Sequence, residues 1–258
     1  TTFAHALAAV LCFSYRRVQF TSDMLPADIL GANIFDQEKR TFTLHRGPIF
    51  TQLLLADEIN RSSPKTQSAL LEAMEEHQVS IDGQSTPLPD PFFVIATQNP
   101  MHQAGTYPLP ESQLDRFLMQ VTLGFPDRVI ERQLFEGRNP RAALQKTTAV
   151  VTLEQWFVLQ ARVAEIKVSS SVLDYVQRLV DYTRYSGDFQ WGLSPRAALG
   201  LMQAGRAWAL LQHRQFVVPE DIQAVFGSVV SHRLRHQMRS GQQADPVRLV
   251  IDKVDVLG

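Results

Sequence analysis

Hydrophobic and polar positions change rhythm once along this chain. Up to about residue 125, short unbroken apolar runs alternate with amphipathic stretches; beyond it, apolar residues recur at helical spacing and strand patterns nearly vanish. The sharpest run is Leu53-Leu54-Leu55-Ala56, which ends abruptly in Asp57-Glu58. Such a run predicts a strand buried on both faces, as at the centre of a parallel sheet. Phe92-Phe93-Val94-Ile95-Ala96-Thr97 predicts a second buried strand, ending in Gln98-Asn99-Pro100, and Val121-Thr122-Leu123 predicts a third. Val18-Gln19-Phe20 reads as a short strand. Hairpins are expected where Ile34-Phe35-Asp36 and Thr41-Phe42-Thr43-Leu44 flank a polar stretch, and where Asp82-Gly83 follows Val79-Ser80-Ile81 on the way to Leu88.

Helical spacing of Phe3, Leu7, Val10 and Leu11 predicts that the first element is a helix. Thr21 to Ile34 reads as a loop or broken helix around Pro26 and Gly31. Ser63 suits an N-cap with Pro64 at the first helical position, and Leu70, Leu71 and Met74 supply a buried stripe as far as about His77. Later helices are expected to start near Pro126, Thr152, Ser171, Ser194 and Val218. The fold class is therefore α/β, with a parallel-sheet core over residues 1–125 and an all-helical domain with a C-terminal tail over 126–258.

Composition narrows the function classes. Lys+Arg 25 against Asp+Glu 26 leaves a net charge of −1, which argues against a generic nucleic-acid or membrane-surface protein. No run is long enough to span a bilayer. The one cysteine, Cys12, has no disulfide partner within the chain and reads as a small core residue of the first helix. The chain opens Thr1-Thr2-Phe3-Ala4-His5 without an initiator Met or a signal-peptide pattern, which suggests a chain cut within a motif.

Polar residues gather where the buried strands end: Asp57-Glu58, Asn99 and, a short way on, Arg116. Ligand chemistry in open α/β sheets sits at such carboxyl ends. Phosphoryl transfer needs these parts: a carboxylate for magnesium, a group that orients or deprotonates water, and a cation for the γ-phosphate. An acidic turn after a strand, a turn asparagine before Pro100, and an Arg116 salt bridge with Asp115 or Glu111 are the structural alternatives.

In ordered motifs the chain resembles the MoxR family of AAA+ ATPases. Asp57-Glu58-Ile59-Asn60-Arg61 resembles its Walker B signature, and Leu71-Glu72-Ala73-Met74-Glu75-Glu76 the helix that follows. Ala96-Thr97-Gln98-Asn99-Pro100 is similar to sensor 1, and Gly105-Thr106-Tyr107-Pro108-Leu109-Pro110-Glu111 with Leu114-Asp115-Arg116-Phe117 is similar to the arginine-finger block. Ser194-Pro195-Arg196-Ala197 resembles sensor 2 of the helical lid. The resemblance implies a P-loop AAA+ core with a parallel sheet and a lid, binding ATP and Mg2+ in the cytoplasm. Thr1 would fall on the magnesium-binding threonine of the P-loop, whose glycines and lysine would lie before residue 1, so this stretch alone is expected to be inactive.

The resemblance further implies that Asp57 holds magnesium with Thr1, that Glu58 polarises the attacking water, and that Asn99 positions it. Arg116 would act across a subunit interface of a homo-oligomeric ring, of hexameric size, and Arg196 would report nucleotide to the lid, in its own subunit or a neighbour's. Arg61 reads equally as an interface residue or an added cation. Hairpins like those at 34–44 and 78–88 can line a central pore in relatives, and are ordinary surface hairpins otherwise. The implied role is a chaperone that remodels a protein client beside a von Willebrand factor A domain protein, in maturation or metal-centre insertion. A non-catalytic AAA+ scaffold, a magnesium-chelatase-like subunit and a DNA-dependent motor are the alternatives. The basic run His232, Arg233, Arg235, His236 and Arg239 reads as a solvated helix end before a nucleic-acid contact.

Overall fold

The computed structural model describes residues 1–38, 40–98, 105–137, 144, 147–235 and 245–256. Contacts divide the chain into two units, Thr1–Arg116 with Phe125–Trp156, and Phe117–Gly124 with Phe157–Gly258. The change of rhythm near residue 125 thus marks a point where the chain returns to the first unit, and the final departure falls inside a later helix.

The first unit runs α1 (Thr2–Val10), β1 (Tyr15–Gln19), α2 (Pro26–Leu30), β2 (Gly31–Asp36), β3 (Thr41–Arg46) and β4 (Leu53–Asp57). A 3-10 turn at Ile59–Arg61 precedes α3 (Pro64–Glu76), β5 (Gln78–Ile81), β6 (Gln84–Pro87), β7 (Phe93–Ala96), α4 (Glu111–Leu114) and α5 (Arg128–Phe135). Strands β1, β4 and β7 form a parallel sheet in that order, and β2–β3 and β5–β6 are antiparallel hairpins. As the apolar run predicts, every residue of the central strand β4 is buried. Leu53 and Leu55 pack with Ala4, Ala8 and Phe13, where the two small alanines let α1 lie close to the sheet. Trp156 meets Phe13 edge-on at 5.2 Å. Alternation turns Leu54, equally buried, to the opposite face.

Pro64 opens α3 behind Ser63, whose hydroxyl accepts from Thr66 N. The stretch between Thr21 and Ile34 resolves into α2 and the start of β2, joined at Gly31. With φ at 99°, that residue would drive a Cβ into the carbonyl oxygen of His45. Three expectations are corrected. Val121-Thr122-Leu123 forms no strand; the neighbouring Gln120 N–H instead donates to Ser228 O at 2.8 Å. Phe93 of β7 is exposed rather than buried, because β7 is the outer strand of the described sheet. Cys12 is exposed with φ at 57°, in the turn that ends α1, and takes no part in the core.

In the second unit the helices are the later part of α6 (Leu153–Glu165), then α7 (Ser170–Tyr185), α8 (Pro195–Leu211), α9 (Pro219–Val230) and α10 (Pro246–Lys253). Tyr175, Leu179, Leu201, Phe226 and Val250 sit in one continuous core. Ser169, not Ser171, caps α7, and Ser194 caps α8 by accepting from Ala197 N at 3.0 Å. Among the described residues no helix is long and apolar enough to cross a membrane.

Asp221, in the first turn of α9, is buried, accepts from Val218 N at 2.9 Å and is ion-paired with Arg214. Burial pushes its carboxyl pKa up, but the Arg214 guanidinium and the Val218 N–H outweigh burial and hold it below the usual value. A depressed folded pKa contributes stability above the unfolded pKa, and that stability is lost as pH falls through the folded value. Arg214→Met is therefore expected to lower the unfolding temperature at neutral pH. Thermal unfolding followed by circular dichroism should show the deficit shrinking below about pH 4, where the unpaired carboxyl can protonate. A deficit that stays constant with pH would assign the loss to packing instead.

Candidate functional site

The carboxyl ends of the three parallel strands converge on Asp57. Register sets Gln19 of β1 level with Asp57, and Ala96 of β7 level with Ala56, so Thr97 follows directly beside the carboxylate. Asp57 is 9% exposed. Its Oδ1 accepts from Thr97 Oγ1, and that same hydroxyl accepts from Glu58 N at 2.9 Å. Its Oδ2 accepts from Arg17 Nε at 3.0 Å and Nη2 at 2.8 Å, with Thr1 Oγ1 at 3.4 Å. Thr1 is the N-cap residue of α1, yet its hydroxyl makes no cap bond and turns to Asp57. Burial pushes the Asp57 carboxyl pKa up; the Thr97 hydroxyl and the Arg17 guanidinium outweigh it, so the group is held below the usual carboxylate value. The carboxylate is charged at neutral pH.

Glu58 adopts the left-handed conformation, with φ 56° and ψ 47°. Its Oε2 accepts from Gln19 Nε2 at 2.8 Å and from Arg61 Nη1 at 3.0 Å. Backbone bonds brace the turn: Phe20 N to Asp57 O at 2.8 Å, Thr97 N to Ala56 O at 2.9 Å, and Ile59 N to Thr97 O at 2.9 Å. Beneath it the buried Gln67 amide donates to the carbonyls of Ile59, Ser62 and Tyr107, tying the acidic turn to the loop before α4.

Of the residues singled out from the sequence, Thr1, Asp57 and Glu58 are brought together, and Arg61 joins them through Glu58. Asn99 lies outside the described residues. Arg116 follows α4, donates to Leu71 O at 3.0 Å and pairs with Glu75, both on α3. Arg196 is exposed in the first turn of α8, in the second unit. In the basic run, His232 contacts Phe117 O at 3.0 Å and Arg233 donates to Phe117 O at 2.6 Å and Leu118 O at 3.1 Å, so both hold backbone within the second unit. His236 and Arg239 lie outside the described residues.

Arg17, Gln19, Thr97 and Gln67 were not singled out as site residues. The signal for two of them is weak but present: Arg17 and Gln19 stand two apart on a strand beside Val18, and so share a face. Ionised Asp57 and the Thr1 hydroxyl are hard oxygen donors of the type magnesium takes. Among the described residues no three His, Cys, Asp or Glu side chains form a metal cage.

Comparison with known proteins places this geometry in a wider set. Residues 1–119 match the family described as "ATPase family associated with various cellular activities (AAA)", and residues 181–252 match the AAA lid domain. The chain is 43% identical over 234 residues to the uncharacterized protein YeaC of Bacillus subtilis, covering 91% of this chain and 73% of that protein. It is 40% identical over 245 residues to the chaperone MoxR1 of Mycobacterium tuberculosis, covering 91% of this chain and 64% of that protein. The crystal structure of a provisionally assigned ATPase from Cytophaga hutchinsonii superposes with a TM-score of 0.87 at 33% identity, covering 98% of this chain and 81% of that one.

The left-handed Glu58 gives a prediction of its own. A non-glycine residue in this conformation costs about 1 kcal/mol relative to glycine. Glu58→Gly is expected to raise the unfolding free energy by up to about 1 kcal/mol in urea titrations, with the Gln19 and Arg61 contacts to the carboxylate offsetting part of the gain. A clear loss of stability would show that those contacts outweigh the backbone strain.

Proposed function

The chain belongs to the MoxR family of AAA ATPases, and from that premise we propose that it binds and hydrolyses ATP with magnesium, as a subunit of a homo-oligomeric ring that remodels a protein client. The observation that carries the reading is the pair at the end of β4: a charged, mostly buried Asp57 facing the Thr1 hydroxyl, followed by a Glu58 whose side chain the left-handed turn sends elsewhere. Two adjacent carboxylates are thereby given separate tasks. Thr1 and Asp57 would hold the metal, which supplies charge neutralisation for the transferred phosphoryl group. Glu58 would take up the proton of the attacking water, and Asn99 would fix that water's position. Arg196 would report nucleotide to the lid, in its own subunit or a neighbour's.

Arg116 would act on the phosphates of a neighbouring subunit. Its present hold on Glu75 is an ion pair in which both side chains are about a third exposed, worth about 1 kcal/mol or less. An arginine finger contributes roughly 10³–10⁵ in rate, or about 4–7 kcal/mol. The local pair is therefore weak enough to be given up at an interface. A hexamer, a von Willebrand factor A domain partner, and work in protein maturation or metal-centre insertion complete the reading, supported by membership of a family in which MoxR1 is named a chaperone.

The test uses a protein of the full length of these relatives, since the chain spans 73% and 64% of them. Glu58→Gln is expected to keep ATP binding and lose about 10²–10⁴ in hydrolysis. Arg116→Ala should also lose hydrolysis, while an equimolar mixture of the two variants regains part of it, because mixed interfaces pair an intact Glu58 with an intact Arg116. Absence of ATP binding and hydrolysis in the parent protein would overturn the enzyme reading. A mixture that stays inactive beside an active parent would overturn the assignment of Arg116 across the interface.

A further inference from the structure

Arg17 reaches both carboxylates, one directly and one through a single side chain. Its Nε and Nη2 donate to Asp57 Oδ2 at 3.0 and 2.8 Å, and Nη2 also donates to Gln19 Oε1 at 2.8 Å. A guanidinium has no acceptor. Gln19 must therefore turn its oxygen to Arg17 and its amino group away, and that amino group donates to Glu58 Oε2 at 2.8 Å. The amide orientation at Glu58 is set from Asp57, by way of Arg17. The two ends of the ion pair also differ in exposure: the Arg17 side chain is 45% accessible and that of Asp57 12%. An exposed cation thus rests on a shielded carboxylate oxygen, the same oxygen that faces Thr1 Oγ1 at 3.4 Å.

Resting on the ATPase reading above, we infer that Arg17 is a positioning residue that stands in for the metal at Asp57 and ties occupancy of Asp57 to the hold on Glu58. Two cations compete for one carboxylate oxygen, so a divalent ion taken up by Asp57 weakens the Arg17 bonds there. Without that anchor the guanidinium no longer fixes the Gln19 amide, and Gln19 can let go of Glu58, which Arg61 still holds at 3.0 Å. Asp57 exchanges one cation for another and is never left buried without a counter-charge, which is the arrangement a mostly buried carboxylate requires. A merely structural Arg17 would stabilise the fold equally with and without metal.

The experiment titrates Mn2+ into the full-length protein with ADP at about pH 8, reading free Mn2+ by electron paramagnetic resonance, and follows thermal unfolding with and without Mn2+. Arg17→Met is expected to bind Mn2+ about threefold to tenfold tighter than the parent, since its competitor is gone. It should unfold earlier than the parent in chelator and recover more than the parent when Mn2+ is added. Arg17→Lys should fall between the two, because an ammonium keeps the charge but not the planar fork. Gln19→Leu should leave Mn2+ affinity near that of the parent and change kcat rather than KM. Mn2+ binding by a folded Arg17→Met no tighter than that of an active parent would overturn the inference alone. A parent that binds no Mn2+ with ADP and does not hydrolyse ATP would overturn the ATPase reading and the inference together.

Discussion

A carboxylate that must stay charged at the end of a fully buried strand constrains everything around it in the first unit. Burial by itself drives Asp57 toward the neutral acid, and an uncompensated buried charge would cost several kcal/mol. Two groups reverse that tendency, the Thr97 hydroxyl on one oxygen and the Arg17 guanidinium on the other. Neither is near Asp57 in the chain. They arrive because β1 and β7 flank β4 in parallel register, with Gln19 level with Asp57 and Thr97 one step beyond the Ala56–Ala96 pair. The sheet order is therefore as much a part of the site as its side chains. The sheet in turn depends on a helix face small enough, at Ala4 and Ala8, to cover Leu53 and Leu55 closely.

What was legible in the sequence follows the range over which each feature is determined. Leu53–Asp57 could be read as a buried strand because burial on both faces leaves no alternation to confuse. Ser63-Pro64, Thr152 and Ser194-Pro195 could be read as helix starts because a cap is decided within a few residues. At Ser169-Ser170-Ser171 the same logic was ambiguous by two residues, since any of the three hydroxyls suits a cap. Val121-Thr122-Leu123 carries strand-forming residues, but a strand exists only with a neighbour, and this segment packs with the helical unit. Asp57 and Glu58 announced themselves as charges closing an apolar run. Arg17 and Thr97 did not, because their meaning lies in a register set between strands some forty residues apart.

The arginines show why residue type alone does not assign a role. Arg17, Arg61 and Arg116 each make an ion pair in the first unit, with Asp57, Glu58 and Glu75. The three pairs differ in what they compensate. Asp57 is shielded from solvent and accepts from two other hydroxyls, so Arg17 is bound into a network. Glu75 is about a third exposed on the surface of α3, so its hold on Arg116 is worth little and can be exchanged for a stronger anion. Arg116 thus rests on a partner it shares with solvent, whereas Arg17 is bound to a carboxylate shielded from it.

Charge serves opposite ends in the two units. In the helical unit the Arg214–Asp221 pair completes the start of α9, and Arg233 holds the carbonyls of Phe117 and Leu118, so these charges end in the fold itself. In the first unit the local choices around Asp57 run against stability. Thr1 leaves its helix uncapped, Glu58 occupies a backbone conformation that glycine would adopt more readily, and a carboxylate is buried where an apolar residue would pack. Such departures from local preference gather at functional sites, because only there does a specific arrangement outweigh the stability forgone. Left-handed non-glycine residues also occur at Cys12 and His213, and Asp221 is buried too, so what sets this end of the sheet apart is that the departures fall on adjacent residues, Asp57 and Glu58, with the Thr1 hydroxyl beside them.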